Sequence, residues 1–221
     1  MVETFNNLIS EEQLEWFRKD FNQLIDINPV DRLYNPDDAK RIYGVENCTI
    51  QDRRHIVEPG DTAYRLMGDI ISPIIPKGTY FYMAYQRQFL PHQMHVDGVY
   101  PETDLNYAKS AIIPLYADPD HIFKTVVWNK VCLTNEIMQD FFKEFINDSS
   151  KFPVVSDVSV TQDVDHCWGE PSIVDVISLD GVYNYELGSM GMFDRTHIHC
   201  SSNWRKYNKV NHKDIILLHI G

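Results

Sequence analysis

The sequence predicts a mainly β fold, a sandwich or jelly roll that is braced by helices on one face. After Lys77-Gly78 the chain carries a series of short segments rich in β-branched and aromatic residues, and turn residues separate them. A length of 221 residues is enough for one such domain with a full core. We therefore expect a single domain over residues 1–221, with a helical support region at 1–78 and a β core at 79–221.

The N-terminal third is expected to be mostly helical. Ser10 and Gln13 match a capping box, and the apolar residues that follow recur at helical spacing as far as Leu24. Asp61 is placed to cap a second helix, which must end before Pro73. These helices are expected to pack their apolar faces on the core.

Short strands are expected to follow one another through the β core, interrupted by one inserted helix at residues 135–147 whose apolar residues share a face. Strands are bounded by turn residues such as Gly181 and Gly188. The predicted strands cover residues 79–86, 111–116, 124–128, 173–178, 182–187, 190–200 and 214–220.

Composition and charge exclude several classes of protein. With 43% hydrophobic residues, no apolar stretch near the length of a membrane span and no leader, the chain is expected to be cytoplasmic and without a membrane partner. A net charge of −12 disfavours nucleic acid, because binding to phosphates depends on clustered Lys and Arg. The scattered cysteines form no CxxC and are expected to be reduced; they are Cys48, Cys132, Cys167 and Cys200.

The tripeptide His95-Val96-Asp97 is the strongest candidate for a functional site. An HxD tripeptide alone is weak evidence, since the chain has a second one at 212–214, and Asp97-Gly98 could simply be a turn. Strand alternation, however, would point His95 and Asp97 to one face, and a second cluster, His197-Ile198-His199, lies on a later strand. Two imidazoles and one carboxylate on a rigid β scaffold are the ligands of a non-haem Fe(II) site.

The segment from Gly188 to Ser201, GSMGMFDRTHIHCS, resembles the distal-histidine strand of the Fe(II)/2-oxoglutarate-dependent dioxygenases. In that family a glycine turn leads into an apolar strand with Phe-Asp, and the metal histidine follows. The resemblance, which covers residues 79–220, implies His95, Asp97 and His199 as metal ligands, with His197 as the alternative to His199. It also implies a double-stranded β-helix, the cupin-like jelly roll of the prolyl-hydroxylase and phytanoyl-hydroxylase branches.

The same family places a basic residue on the next strand, where it pairs with the distal carboxylate of 2-oxoglutarate. Lys213 fits this position, although many members use Arg there; Arg205 and Lys209 are the alternatives, and each could instead be a solvated charge. A tyrosine of the first β-core strand, Tyr82 or Tyr85, could donate to the co-substrate, and we assign Tyr85 to this role. Tyrosines on strands also commonly serve as packing residues.

The resemblance implies an oxygenase that uses Fe(II), 2-oxoglutarate and O2, and releases succinate and CO2. Its expected substrate is an unactivated C–H bond of a small molecule or a protein side chain, and the segment from Asp118 to Asp175 is expected to select it. Two other functions remain open on the sequence. One is a cupin-like metalloenzyme that does not use 2-oxoglutarate, and the other is a non-catalytic jelly-roll binding module.

Overall fold

The computed structural model describes residues 1–97, 108–116, 123–147, 177–207 and 210–221. Within these ranges the helices are α1 (Glu11–Leu24), α2 (Pro36–Tyr43), α3 (Thr62–Ile71), α4 (Asn135–Asn147) and α5 (Trp204–Tyr207). The strands are β1 (Glu3–Phe5), β2 (Val30–Leu33), β3 (Ile50–Val57), β4 (Phe81–Gln88), β5 (Lys109–Pro114), β6 (Lys124–Val131), β7 (Leu179–Asn184), β8 (Met190–Asp194), β9 (His197–Ser201) and β10 (Lys213–Ile220). Among the helices in these ranges, none has the length and hydropathy needed to cross a membrane.

The capping box that begins α1 is confirmed. The Ser10 hydroxyl accepts from the Gln13 N–H at 3.2 Å, and the Gln13 side chain accepts from the Ser10 N–H at 2.9 Å. Helix α3 begins directly after Asp61, as predicted, but the carboxylate of Asp61 accepts from the backbone N–H of Glu58 and makes no bond to the helix. The prediction that Asp61 caps α3 through its side chain is therefore wrong.

Two antiparallel sheets form the β core. The large sheet has seven strands in the order β1-β8-β5-β10-β4-β3-β2, and the small sheet has three strands in the order β7-β6-β9. An isolated bridge between His95 and His199 extends the small sheet beyond β9. A mainly β jelly roll with flanking helices is thus confirmed.

Strand β10 shows how the layers are assembled. Its residues alternate between the two faces of the large sheet, so Ile216 and Leu218 face α1 and α3 while Ile215 and Leu217 face the small sheet. Both sets are buried, as expected for a central strand covered on both sides. The helices therefore close the outer face of the large sheet and leave its inner face toward the small sheet.

Two sequence predictions need correction. The N-terminal third is not mostly helical, because β3 is an eight-residue strand that pairs with β4 in the large sheet, and β2 pairs with β3. The predicted single strand at 190–200 is instead a hairpin of β8 and β9. Its turn is set by Asp194, whose carboxylate accepts from the backbone N–H of Thr196 at 3.0 Å and from the Thr196 hydroxyl at 2.6 Å.

The inserted helix at 135–147 is present as α4, with the predicted bounds. Most of the predicted strand at 173–178 lies outside the described residues, as do Lys209 and much of the segment from Asp118 to Asp175. Among the described cysteines, Cys48, Cys132 and Cys200 are free thiols.

Candidate metal centre

A mutual pair of backbone hydrogen bonds brings His95 and His199 together. The N–H of His95 donates to the carbonyl of His199, and the N–H of His199 donates to the carbonyl of His95, both at 2.9 Å. The two residues therefore lie directly opposite each other across the edge of the small sheet, and their ring centroids are 4.2 Å apart. Two imidazoles that are far apart in the sequence become neighbours through this one bridge.

Asp97 completes a cluster of three side chains. Its carboxylate oxygens lie 3.7 Å from Nε2 of His95 and 3.5 Å from Nε2 of His199, and the three possible ligand atoms all lie within 4.8 Å of one another. Its backbone is held by Arg195, which accepts from the Asp97 N–H and donates from its guanidinium to the Asp97 carbonyl, both at 3.0 Å. The geometry is that of three groups facing a common point.

The hydrogen bonds of the imidazoles determine which nitrogen faces that point. Nδ1 of His95 lies 2.7 Å from the carbonyl of Gln93, and Nδ1 of His199 lies 2.9 Å from the carbonyl of His197. Because a carbonyl oxygen only accepts, each Nδ1 carries a proton, and each Nε2 is the ring nitrogen that faces the cluster. Second hydrogen bonds of this kind orient metal-binding histidines in general.

The charges of the cluster also suit a cation. Burial and the nearby His199 lower the pKa of His95 well below its ordinary value, so this imidazole is neutral. Burial alone would raise the pKa of Asp97, but the surrounding imidazoles, His199 first, hold it well below its ordinary value. The neutral imidazole of His95 and the ionised carboxylate of Asp97 are donors that suit a divalent transition metal.

Two residues that the sequence did not single out hold the cluster in place. The side-chain amide of Asn135, the first residue of α4, accepts from the N–H of Val96 and donates to its carbonyl, both at 3.0 Å. Ser110 donates its hydroxyl to Oδ2 of Asp97 at 2.5 Å, and the same hydroxyl lies 3.0 Å from Nδ1 of His219. Both contacts are tertiary, so no local sequence pattern predicts them. The one signal in the sequence is the polar Ser110 directly before the apolar run at 111–114 of β5.

The cluster opens onto a cavity of about 580 Å³ between the two sheets, as defined by the described residues. One part of its wall is apolar and includes Ile112, Phe193, Ile215 and Leu217. Another part is polar, and its side chains belong mainly to β2, β3 and β4; they are Arg32, Asp52, Arg54, Tyr82, Gln86 and Gln88. A space of this size is typical of small-molecule sites, which span about 300 to 1,000 Å³.

Lys213 reaches the same cavity from the first position of β10. Only 3% of the residue is exposed, and its Nζ donates to the Tyr185 hydroxyl at 3.2 Å while lying 4.7 Å from the centroid of that ring. The Tyr185 hydroxyl is in turn 2.9 Å from the Thr125 hydroxyl. Burial lowers the pKa of Lys213 to about 7.

Tyr85 does not reach the cavity, which corrects its predicted role. It is fully buried on the opposite face of β4, where it packs against Phe21 and donates its hydroxyl to Asp20 at 2.7 Å. Tyr82, the alternative, lines the cavity and stacks on His219 at a centroid distance of 5.5 Å. Strand alternation places these two tyrosines on opposite faces of the same strand.

The other candidate residues lie away from the cluster. His197 shares β9 with His199, but its Nδ1 faces Asp180 at 3.4 Å. Arg205 donates to the carbonyl of Val210 at 2.8 Å. The structure thus brings together His95, Asp97 and His199, as the sequence predicted, with Lys213 on the wall of the same cavity.

No protein-family model matches this chain, and no curated protein matches it. Solved structures with the same fold do exist. The epimerase SnoN, crystallised with Fe3+, alpha ketoglutarate and nogalamycin RO, superposes with a TM-score of 0.56 at 8% identity, over 99% of this chain and 77% of SnoN. HygX from Streptomyces hygroscopicus, crystallised with nickel and 2-oxoglutarate, gives 0.51 at 10% identity, over 100% of this chain and 82% of HygX.

A prolyl-4-hydroxylase of Pseudomonas putida gives a TM-score of 0.50 at 8% identity, over 99% of this chain and 91% of that enzyme. At these identities the likeness concerns the fold. The fold and the cluster define the class: a jelly-roll protein with a His-Asp-His site at the mouth between its two sheets. Within that class the fold is the double-stranded β-helix that it shares with SnoN, HygX and the prolyl-4-hydroxylase.

Proposed function

We propose that this protein is an Fe(II)- and 2-oxoglutarate-dependent oxygenase, with His95, Asp97 and His199 as the metal ligands. The observation that carries the proposal is the convergence of two imidazole Nε2 atoms and an ionised carboxylate on one point, within the fold that SnoN and HygX share. Such a facial set leaves open positions on the metal. When bound there, iron and 2-oxoglutarate would supply the activation of O2.

Lys213 supports the use of 2-oxoglutarate over a metalloenzyme that lacks this co-substrate. Its ammonium group lies on the wall of the cavity that contains the cluster, where it can form a charge-assisted hydrogen bond with a carboxylate. The Tyr185 and Thr125 hydroxyls fix its position. We assign Lys213 to the distal carboxylate of 2-oxoglutarate and retain Tyr82, which lines the cavity, as the candidate tyrosine donor.

The proposed reaction inserts one atom of O2 into a C–H bond of the substrate and the other into succinate, with release of CO2 from 2-oxoglutarate. The two electrons that the C–H bond loses and the two from decarboxylation together reduce O2. The chain would orient the metal ligands through Ser110 and Asn135, and the apolar wall of the cavity would exclude water from the site. The cavity volume favours a small-molecule substrate over a protein side chain.

The decisive experiment measures metal binding and succinate formation in the same set of variants. We expect the wild-type protein to bind Ni(II) or anaerobic Fe(II) and to form succinate from 2-oxoglutarate in air. His199→Ala should lose both properties, whereas the matched control His197→Ala, two positions away on the same strand, should keep both. Equal succinate formation by His199→Ala and wild type would reject the proposal, and so would the absence of metal binding by the wild type.

A further inference from the structure

We infer that the wall of the cavity built by β2 and β3 binds an anionic group of the substrate, a carboxylate or a phosphate, through Arg54 and Arg32. This inference rests on the proposed function, because it names the substrate class for the same cavity. Both arginines line that cavity, on the two strands that extend the large sheet beyond β4.

Strand alternation separates the arginines of this wall into two groups. Val30 and Arg32 of β2 are paired in register with Arg54 and Asp52 of β3, and these four residues share the cavity face. Arg53 turns to the other face, where it forms ion pairs with two carboxylates of the N-terminal region. The positive charges on the wall built by β2 and β3 are therefore Arg32 and Arg54.

Asp52 orients the guanidinium of Arg54 but accepts from only one of its nitrogens. Its Nε donates to Oδ1 of Asp52 at 2.8 Å, and among the described residues its two Nη atoms have no acceptor. The fully buried Asp52 is shared, because its Oδ2 lies 3.0 Å from Nε2 of His92. A guanidinium held through Nε presents its four remaining N–H donors in a planar fork, which matches carboxylate and phosphate oxygens.

Arg32 adds a second positive charge to the same wall. Its side chain is exposed, lines the cavity and forms no ion pair with any residue in the described ranges. Arg54 remains charged: burial would lower its pKa, but Asp52 and, at longer range, Asp97 hold the pKa above its ordinary value. Asp31 and Asp52 also line this wall, but Asp31 is paired with Arg53, and Asp52 with Arg54 and His92. The Nη atoms of Arg54 and the guanidinium of Arg32 have no acceptor among the described residues, so they are the groups that an anion can bind.

The co-substrate end of the cavity is a different place. Arg54 is in register with Gln86 of β4, and Gln86 with Ile215 of β10, so two strand spacings of about 4.8 Å each separate β3 from β10. Lys213 donates to the hydroxyl of Tyr185, which directly follows β7 of the small sheet. Arg54 and Arg32 therefore lie on one wall of the cavity and Lys213 on another, and 2-oxoglutarate at Lys213 would leave the arginine wall for the substrate.

The test uses matched probes that differ in charge: phenylacetate against phenylacetamide, and phenyl phosphate against phenol. Each is titrated calorimetrically into the protein loaded with Ni(II) and saturating 2-oxoglutarate, so that no turnover occurs. We expect at least one anion to bind tighter than its neutral partner by about tenfold or more, the effect of a hydrogen bond to a charged group. The two pairs distinguish carboxylate from phosphate as the preferred anion.

Variants then connect the preference to the two arginines. Arg54→Gln and Arg32→Gln should each remove most of the anion preference, and Arg54→Lys should retain part of it. Arg65→Gln, which removes an exposed charge from α3, is the control and should behave as wild type. Arg32→Gln keeps the test decisive if loss of the Asp52 ion pair unfolds Arg54→Gln, because Arg32 forms no ion pair with a described residue.

Equal binding of the anionic and neutral probes would overturn the inference, as would an unchanged preference in the folded Gln variants. A rise in the Kd of 2-oxoglutarate in Arg54→Gln, with no effect on the probes, would instead assign Arg54 to the co-substrate. Repeating the titration without metal separates this inference from the proposed function. If the protein binds no metal but still shows an anion preference that depends on Arg54, only the proposed function is contradicted.

Discussion

The proposed assignment of Lys213 predicts that the affinity for 2-oxoglutarate depends on pH. Burial lowers the pKa of Lys213 from 10.5 to about 7. At about 1.36 kcal/mol per pKa unit, this shift corresponds to about 5 kcal/mol of lost hydration in the free protein. A bound carboxylate restores the charged form, so above pH 7 binding of 2-oxoglutarate must take up one proton. The Kd should therefore rise by about tenfold per pH unit above pH 7, or about a hundredfold between pH 7 and pH 9.

Calorimetry on the Ni(II)-loaded protein between pH 6 and pH 9 measures this dependence directly. Titrations at pH 9 in two buffers with different enthalpies of protonation give the number of protons taken up, which we expect to be close to one. Lys213→Arg keeps its charge over the whole range and should give a Kd without this slope, which separates the lysine from the titration of other groups. A wild-type Kd that stays constant from pH 7 to pH 9 would refute the assignment of Lys213.

The same pKa has a consequence for the stability of the metal-free protein. Because the folded-state pKa of Lys213 lies below the unfolded value of 10.5, the unfolded chain binds more protons between pH 7 and 10.5. The free energy of unfolding should rise with pH through that window. Lys213→Met removes the buried charge and should stabilise the folded protein. The gain in the free energy of unfolding, measured by urea denaturation, should be largest at or below pH 7 and decline toward pH 10.

Three substitutions test the supports of the site and of the fold. Ser110→Ala removes the hydroxyl that donates to the proposed metal-binding carboxylate and should weaken Ni(II) binding by about ten- to a hundredfold, while Ser110→Thr keeps the hydroxyl; equal affinities would contradict this role. Tyr85→Phe should cost about 1 kcal/mol of stability and leave the Kd of 2-oxoglutarate unchanged, and a raised Kd would return Tyr85 to the site. Gly191→Ala would place a Cβ 2.3 Å from the Tyr183 ring and should cost about 1 to 3 kcal/mol in urea denaturation. Gly60→Ala meets nothing within 4 Å and is the control; equal losses would contradict the clash.

The sequence predicts the parts of the fold that have a local cause. Helix α1 follows from the capping box at Ser10 and the buried apolar face behind it, and both exist in the structure. The strands β4, β5, β6 and β10 follow from runs of β-forming residues. His95 and Asp97 fall on one face because they are two residues apart in extended chain, and the resemblance added His199 to them.

Tertiary contacts explain what the sequence did not predict. Strand β3 carries charged residues at 52–54, so it lacks the apolar alternation by which a half-buried strand is recognised. Its inner face is polar because it borders the cavity, not the core. Asn135 and Ser110 are small polar residues whose roles depend on a backbone group and a carboxylate that approach from distant parts of the chain. No spacing within the sequence encodes such an approach.

The wrong prediction for Tyr85 shows that the functional face of a strand can be identified from its polar residues. The segment from Phe81 to Tyr85 is apolar on both faces, so hydrophobic alternation cannot tell the cavity from the helical layer. Gln86 and Gln88 are buried amides, which a cavity accommodates more readily than an apolar core does. Both lie an even number of positions from Tyr82, so they share its face of β4 and not that of Tyr85, and both line the cavity with Tyr82. In an otherwise apolar strand, the face that carries the polar residues is therefore the one to predict as the functional face.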